Sequence, residues 1–321
     1  MAKPPHLDEF ARIARFFAPL AGSGALGLTD DVALIDGPSG TQYVLKTDVV
    51  VAGIHFFPSD PPGTVAQKLL RMNLSDLAGK GAEPVGYLLT TALTTANDET
   101  WLKQFSAGLA ADQREFGISL LGGDSVRTRG ATTLSVAAVG RVRKGTALLR
   151  SGARVGDALY VSGTLGDAAL GLALQKRRRL GLSGRHRRYL IDRYRLPQPR
   201  LALGRKLVGL ASAAMDISDG LVADLGHLCD ASRVAAIIET ARLPLSAAAR
   251  AALQRDPALI RTILTGGDDY EILFTASPSA KQKLARLPVT EIGRIEPGRG
   301  VKVLNSLGKP MALGRAGYSH F

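Results

Sequence analysis

Asn73-Leu74-Ser75-Asp76-Leu77-Ala78-Gly79-Lys80-Gly81-Ala82 closes a segment, beginning near Thr64, in which Val65, Leu69, Leu70, Leu74 and Leu77 recur at helical spacing. The spacing predicts a helix that buries one apolar stripe, with Asn73 and Asp76, three residues apart, on a shared face. Gly79 and Gly81 end it, because glycine tolerates the left-handed conformation common at helix C-termini. Asp76 would then sit beside a buried stripe at the unfavourable end of the helix dipole. A compensating cation is expected there, a metal ion among the candidates. Taken alone, the commoner reading of such a residue is a solvated acid on an amphipathic helix.

Working outward from this helix, other acids stand beside Gly, Ser or Thr at the ends of predicted elements. Thr29-Asp30-Asp31 leads into a strand over Val32–Ile35. The preceding Gly22-Ser23-Gly24-Ala25-Leu26-Gly27 matches G-x-G-x-x-G but follows a helix and enters a strand, the reverse of a dinucleotide fingerprint, and is read as a loop. A β-branched strand over Tyr43–Val51 carries Lys46, Thr47 and Asp48. Thr47 and Asp48 are costly if buried unpaired, so the strand bends there or the pair binds a ligand. His55, between Ile54 and Phe56, reads equally as a satisfied semi-buried histidine or a ligand contact.

Downstream, a strand over Val85–Leu93 precedes a helix from about Asp98 to Phe116, capped by Asn97 or Asp98. The strand Ile118–Leu121 runs into Gly122-Gly123-Asp124, most simply a tight turn, and Thr132–Val142 alternates as a strand. Arg150-Ser151-Gly152-Ala153 marks a junction, and the chain divides into 1–146 and 147–321. The second part starts with the strand Ala158–Val161, then a basic helix from near Gly166 and another near Leu201–Leu210. In Met215-Asp216-Ile217-Ser218-Asp219-Gly220, Ser218 or Asp219 serves as an ordinary helix cap; Asp216 has no such explanation. Gly266-Gly267-Asp268-Asp269-Tyr270-Glu271 precedes the strand Ile272–Thr275. The two Gly-Gly-Asp stretches hint at related halves but fall short of a repeat. The fold class expected is mixed α/β (α+β) in two domains.

The 321 residues suffice for two ordinary cores. Hydrophobic residues make up 45%, with no apolar run near the roughly eighteen needed to span a membrane. An amphipathic helix is expected over Leu7–Phe17, where Asp8 and Glu9 interrupt any signal-peptide core, so the expected location is cytoplasmic with no membrane partner. Cys229 is the single cysteine, which excludes an intrachain disulfide and a thiolate metal site. The five histidines lack zinc spacing, so any metal would be oxygen-ligated magnesium, calcium or manganese. A net charge of +13 suits polyanionic partners. Its densest cluster, Lys176 to Arg195, reads as a solvated helical surface. Only 5% of residues are aromatic, which argues against a stacking platform for single strands, although a basic nucleic-acid binder stays as the alternative.

Each acid has a bland explanation singly. Gathered by the fold, Asp30, Asp31, Asp48, Asp76, Asp124, Asp216 and Asp219 would repel one another and need several hard divalent cations. Magnesium bridges carboxylates and phosphate oxygens, so the ionic chemistry points to phosphoryl transfer.

These motifs, with Gly53-Ile54-His55-Phe56, Arg150-Ser151-Gly152 and the final Gly-Tyr-x-His-Phe, resemble in order and nearly end to end the thiamine-monophosphate kinases. That family shares a superfamily with aminoimidazole ribonucleotide synthetase and selenophosphate synthetase. The resemblance implies an N-terminal sheet domain that dimerises, a C-terminal α/β domain, and ATP with several Mg²⁺ ions in the cleft between them. It implies metal binding by Asp31, Lys46, Thr47, Asp48, Asp76, Asp124, Asp216 and Asp219, and ATP contacts from Gly123, Asp124, Arg150 and Ser218. His55, Asp268 and Tyr318 would face thiamine monophosphate. The implied reaction is direct transfer of the γ-phosphoryl group without a general base; a sister ATP-dependent activity with another acceptor is the nearest alternative. Three positions depart from the family pattern: Thr29 replaces Gly, Asp268 replaces Glu, and Lys46 replaces a Ser or Thr metal ligand. At Lys46, either the backbone carbonyl serves or one metal is lost.

Overall fold

A computed structural model describes residues 9–314, 317 and 318. The predicted first helix appears as α1 (Glu9–Arg12) continued by a π-helical turn over Ile13–Phe17; its first two predicted residues, 7 and 8, lie outside the described residues. The glycine-rich stretch after it forms 3₁₀ turns over Ser23–Leu28.

Five strands make the first sheet: β1 (Ala33–Asp36), β2 (Thr41–Val51), β3 (Glu83–Leu93), β4 (Ser119–Arg127) and β5 (Thr133–Arg143), in spatial order β1-β2-β5-β3-β4. Between β2 and β3 runs α2 (Pro62–Gly79). Only β3 and β4 are parallel, and α3 (Glu99–Phe116) makes the crossover such a pair requires. Asp98 caps α3, its Oδ1 accepting the Trp101 N–H at 2.8 Å.

The second sheet contains β6 (Ala158–Ser162), β7 (Ala213–Asp216), β8 (Ala235–Glu239), β9 (Ile272–Ala276), β10 (Val289–Glu296) and β11 (Gly300–Leu304), in order β11-β8-β10-β6-β9-β7. Its helices are α4 (Asp167–Gln175), α5 (Gly184–Arg195), α6 (Leu201–Leu207), α7 (Leu221–Ser232), α8 (Ala247–Arg255), α9 (Leu259–Thr265) and α10 (Lys281–Leu284).

Helix α2 lies between the sheets, touching β2 and β5 on one side and β7, β9 and α6 on the other. Every residue from Lys68 to Gly79 is buried, so the single stripe read from the sequence understates the burial. Leu69, Leu70, Leu74 and Leu77 are fully buried, each contributing about 1.5–3 kcal/mol. The polar Asn73, Ser75 and Asp76 go in with them. Lys80 closes the helix, its N–H donating to the Asp76 carbonyl at 3.1 Å, and Gly81 at φ +68° turns the chain away.

One local expectation changes and one alternative drops out. The Gly122-Gly123-Asp124 stretch is no turn: β4 runs straight through it, paired in register with Leu88, Leu89 and Thr90 of β3. The β2 strand does not bend at Thr47-Asp48. It stays paired to β5 throughout, and the Thr47 hydroxyl donates to the Val136 carbonyl at 3.1 Å. Among the described residues no helix packs on the face of this sheet opposite α2, where Val49, Leu88 and Val126 are exposed.

A Cβ at Gly204 would lie 2.0 Å from the Ala78 carbonyl oxygen, so only glycine lets α6 seat on the end of α2. Gly204→Ala should therefore destabilise the protein by at least about 1–3 kcal/mol. Urea unfolding checks this; an unchanged midpoint would contradict the close packing of α6 on α2.

Candidate active site

The acids converge because four segments end at one place. Asp30 and Asp31 precede β1, Asp48 lies on β2, Asp76 on the last turns of α2, and Asp216 at the end of β7. Carboxylate oxygens of Asp31, Asp76 and Asp216 lie within 4.8 Å of one another. Asp76 is 5% exposed and Asp216 2% exposed, and the buried Asp216 Oδ2 has no hydrogen-bond partner. Three close hard-oxygen donors, one of them unsatisfied, fit a divalent cation.

Three cations already face this cluster. Lys46 Nζ lies 3.2 Å from Asp48 Oδ1 and 3.2 Å from Asp76 Oδ2. The fully buried Lys80 Nζ lies 2.7 Å from Asp30 and 2.5 Å from Asp31, and the Arg150 guanidinium pairs with Asp31. Arg150 also donates its backbone N–H to Asp30 at 2.9 Å. Burial opposes the charge of Asp31, but Lys80, Arg150 and Lys46 outweigh it and hold the carboxyl below its usual range. Asp76 and Asp216 go the other way. Burial first, then the neighbouring Asp216, pushes Asp76 well above the usual carboxylate range. Burial and the charge of Asp31 push Asp216 up to about 6.

The cluster opens into a cleft of about 890 Å³ lined by residues of both halves, among them Lys46, His55, Arg150, Ser218, Asp219, Asp268 and Tyr318. His55 Nδ1 accepts the Val51 N–H at 3.0 Å, so a neutral ring carries its proton on Nε2. Asp268 is held by Lys68 Nζ at 3.1 Å and Tyr270 Oη at 3.1 Å. Lys176, from the basic cluster read as plain surface, lines the same cleft.

Three residues from the expected set lie elsewhere. Thr47 alternates with Lys46 and Asp48 along β2, so its side chain takes the opposite face of the sheet. Gly123 and Asp124 sit on β4, at the far edge of the strand order from β1, and do not line the cleft. Nor do Ser218 or Asp219 cap α7 with their side chains. Instead Asp224, one turn into α7, accepts the N–H groups of Ser218, Asp219 and Gly220 at 3.0, 3.1 and 3.0 Å. The reading by sequence missed Lys80, Lys68 and Asp224; a lysine between two glycines closing an apolar helix was the available signal for the first.

Comparison with known proteins agrees with this architecture. Residues 29–142 match the model for the AIR synthase related protein N-terminal domain, and residues 154–304 match that for the C-terminal domain. Thiamine-monophosphate kinase of Caulobacter vibrioides is 39% identical over 330 residues, covering 99% of this chain and 92% of the relative. The chain belongs to the thiamine-monophosphate kinase family. The Escherichia coli K12 member of the family is 40% identical over 324 residues, covering 98% of each chain. The solved structure of AaThiL complexed with AMPPCP and TMP superposes with a TM-score of 0.88 at 31% identity, covering 100% of this chain and 99% of that one. A thiamine-monophosphate kinase structure from Stenotrophomonas maltophilia K279a is 41% identical with a TM-score of 0.77, covering 92% and 96%.

The raised Asp216 pKa has a signed consequence for stability without metal. Between the unfolded carboxyl value of 3.8 and about 6 the folded state holds a proton that the unfolded state has lost, so stability falls as pH rises through that window. In chelator, Asp216→Asn should match the natural chain below pH of about 4 and exceed it by about 1–3 kcal/mol above pH of about 7. Denaturant melts across pH test this; a destabilised variant at neutral pH would refute it.

Proposed function

We propose that the chain transfers the γ-phosphoryl group of ATP directly to thiamine monophosphate, giving thiamine diphosphate, with Mg²⁺ held at the carboxylate cluster. The observation that carries this reading is the cluster of Asp31, Asp76 and the buried Asp216, the first two of which line a cleft between the halves. Support comes from the family and from a full-length structural relative that holds an ATP analogue and TMP together.

The acceptor is a phosphate monoester whose second pKa is about 6, so at neutral pH it is largely dianionic and needs no general base. Repulsion between two polyanions is the obstacle. Asp31, Asp76 and Asp216, with Asp219 at the cleft wall, would hold Mg²⁺, which supplies charge neutralisation to the phosphates when bound, while Asp48 pairs with Lys46. Arg150, fixed by Asp31 and lining the cleft, adds a positive charge in a set orientation. Ser218 lies in a loop pinned by Asp224 and would meet the nucleotide. His55, Asp268 and the half-exposed Tyr318 line the part of the cleft assigned to the thiamine moiety, with Lys68 and Tyr270 keeping Asp268 in place. Two charged groups held in line by fixed donors make positioning and electrostatics the whole of the catalysis.

The same proposal includes a homodimer formed across the uncovered face of the first sheet. Asp124 is in register with Thr90 and Ser135 on that face, beside the exposed Val49, Leu88 and Val126. Pairing there would carry Gly123 and Asp124 toward a partner's cleft and account for their distance from their own. Leu88→Glu should yield a monomer by light scattering; an unchanged dimer would remove that face from the interface.

The direct test is formation of thiamine diphosphate from ATP, Mg²⁺ and thiamine monophosphate, with unphosphorylated thiamine inert as acceptor. Asp76→Asn should lose at least about 100-fold in turnover while keeping its circular dichroism spectrum. Near-normal activity of that variant at saturating Mg²⁺, or retention of configuration at phosphorus in the natural enzyme, would sink the scheme.

A further inference from the structure

Lys46 is out of keeping with a site built to gather metal ions. Its ammonium stands inside the cluster, 3.2 Å from a carboxylate oxygen of Asp48 and 3.2 Å from one of Asp76, with its side chain 16% exposed at the cleft. The pleat puts residues 46 and 48 on the same face of β2, and α2 brings Asp76 against that face, so the ammonium cannot avoid the two acids. An ammonium is a compact charge that only donates, and it takes up one oxygen of each.

Two groupings of carboxylates meet at Asp76. One is bounded by Asp31, Asp76 and Asp216, where Asp216 Oδ2 is buried and unpartnered. The other is Asp48 with Asp76, bridged by the Lys46 ammonium.

We infer that Lys46 is a tethered cation holding, between Asp48 and Asp76, a position a divalent ion would otherwise occupy, so that this enzyme binds one fewer metal than its carboxylates could support. The inference builds on the metal–nucleotide reading of the cleft but not on the acceptor. Lys46 is thus a positioning residue: it fixes Asp48 and Asp76 before nucleotide arrives and makes their folded arrangement independent of metal.

Metal counting tests it without turnover. With the full chain and a non-hydrolysable ATP analogue, Mn²⁺ titration followed by electron paramagnetic resonance should give one more bound ion per chain for Lys46→Thr than for the natural protein. Lys46→Arg should leave the count unchanged. In chelator, Lys46→Gln should melt at least about 4 °C below Lys46→Arg, with Mn²⁺ closing the gap. Equal Mn²⁺ counts for the natural chain and Lys46→Thr overturn the proposal. So does equal melting of the Gln and Arg variants in chelator, even if the Thr variant fails to fold. Correct counts from a chain that does not phosphorylate thiamine monophosphate would leave Lys46 in this role and reject the assigned acceptor instead.

Discussion

A carboxylate buried at the C-terminal end of a helix, between two sheets, is the constraint on which the rest of this structure depends. Asp76 loses its hydration, faces the negative end of the α2 dipole, and has Asp48, Asp31 and Asp216 as neighbours. None of these terms favours an anion. Burial of Leu69, Leu70, Leu74 and Leu77 holds the helix there regardless, and glycines at 79, 81 and 204 let the surrounding backbone close on its end. The cluster is thereby kept in a state that calls for cations, which is the property a phosphate-handling site needs.

The protein meets part of that demand itself. Lys80, fully buried, ties the Asp30-Asp31 loop to the end of α2, and Arg150 ties the same loop to the start of the second half. Buried charges of this kind contribute little net stability, because desolvation offsets their attraction. What they provide is fixed geometry: carboxylates from segments far apart in sequence arrive at one point with their directions set. The unsatisfied remainder, centred on Asp216, is what the proposed function would fill with a divalent ion.

Much of this was legible in the sequence, for local reasons. The periodicity around Leu69–Leu77 and the glycines after it gave α2 and its end, and the placement of acids at element ends gave the chemistry. What could not be read locally depends on pairing. Thr47 is adjacent to Asp48, yet the pleat sends it to the other side of the sheet. Asp124 looks equivalent to the other acids until the strand order puts β4 at the far edge. Gly122-Gly123 reads as a turn because its partner strand, β3, is invisible to local pattern. Asp219 looks like a cap, but Asp224, five residues on, reaches back to serve the loop instead. Lys80 and Lys46 carried the weakest signal, since a lysine is surface by default and only the company of buried acids overturns that default.

The central claim is that Asp31, Asp76 and Asp216 form the metal-binding floor of a cleft in which Lys46 already stands for one cation. Anomalous diffraction from crystals grown with Mn²⁺ and a non-hydrolysable ATP analogue tests it most directly. A peak bridging Asp31, Asp76 and Asp216, with none between Asp48 and Asp76 where the Lys46 ammonium lies, is the predicted map. A map with no peak among the three carboxylates, or with Lys46 displaced by an ion between Asp48 and Asp76, would contradict it.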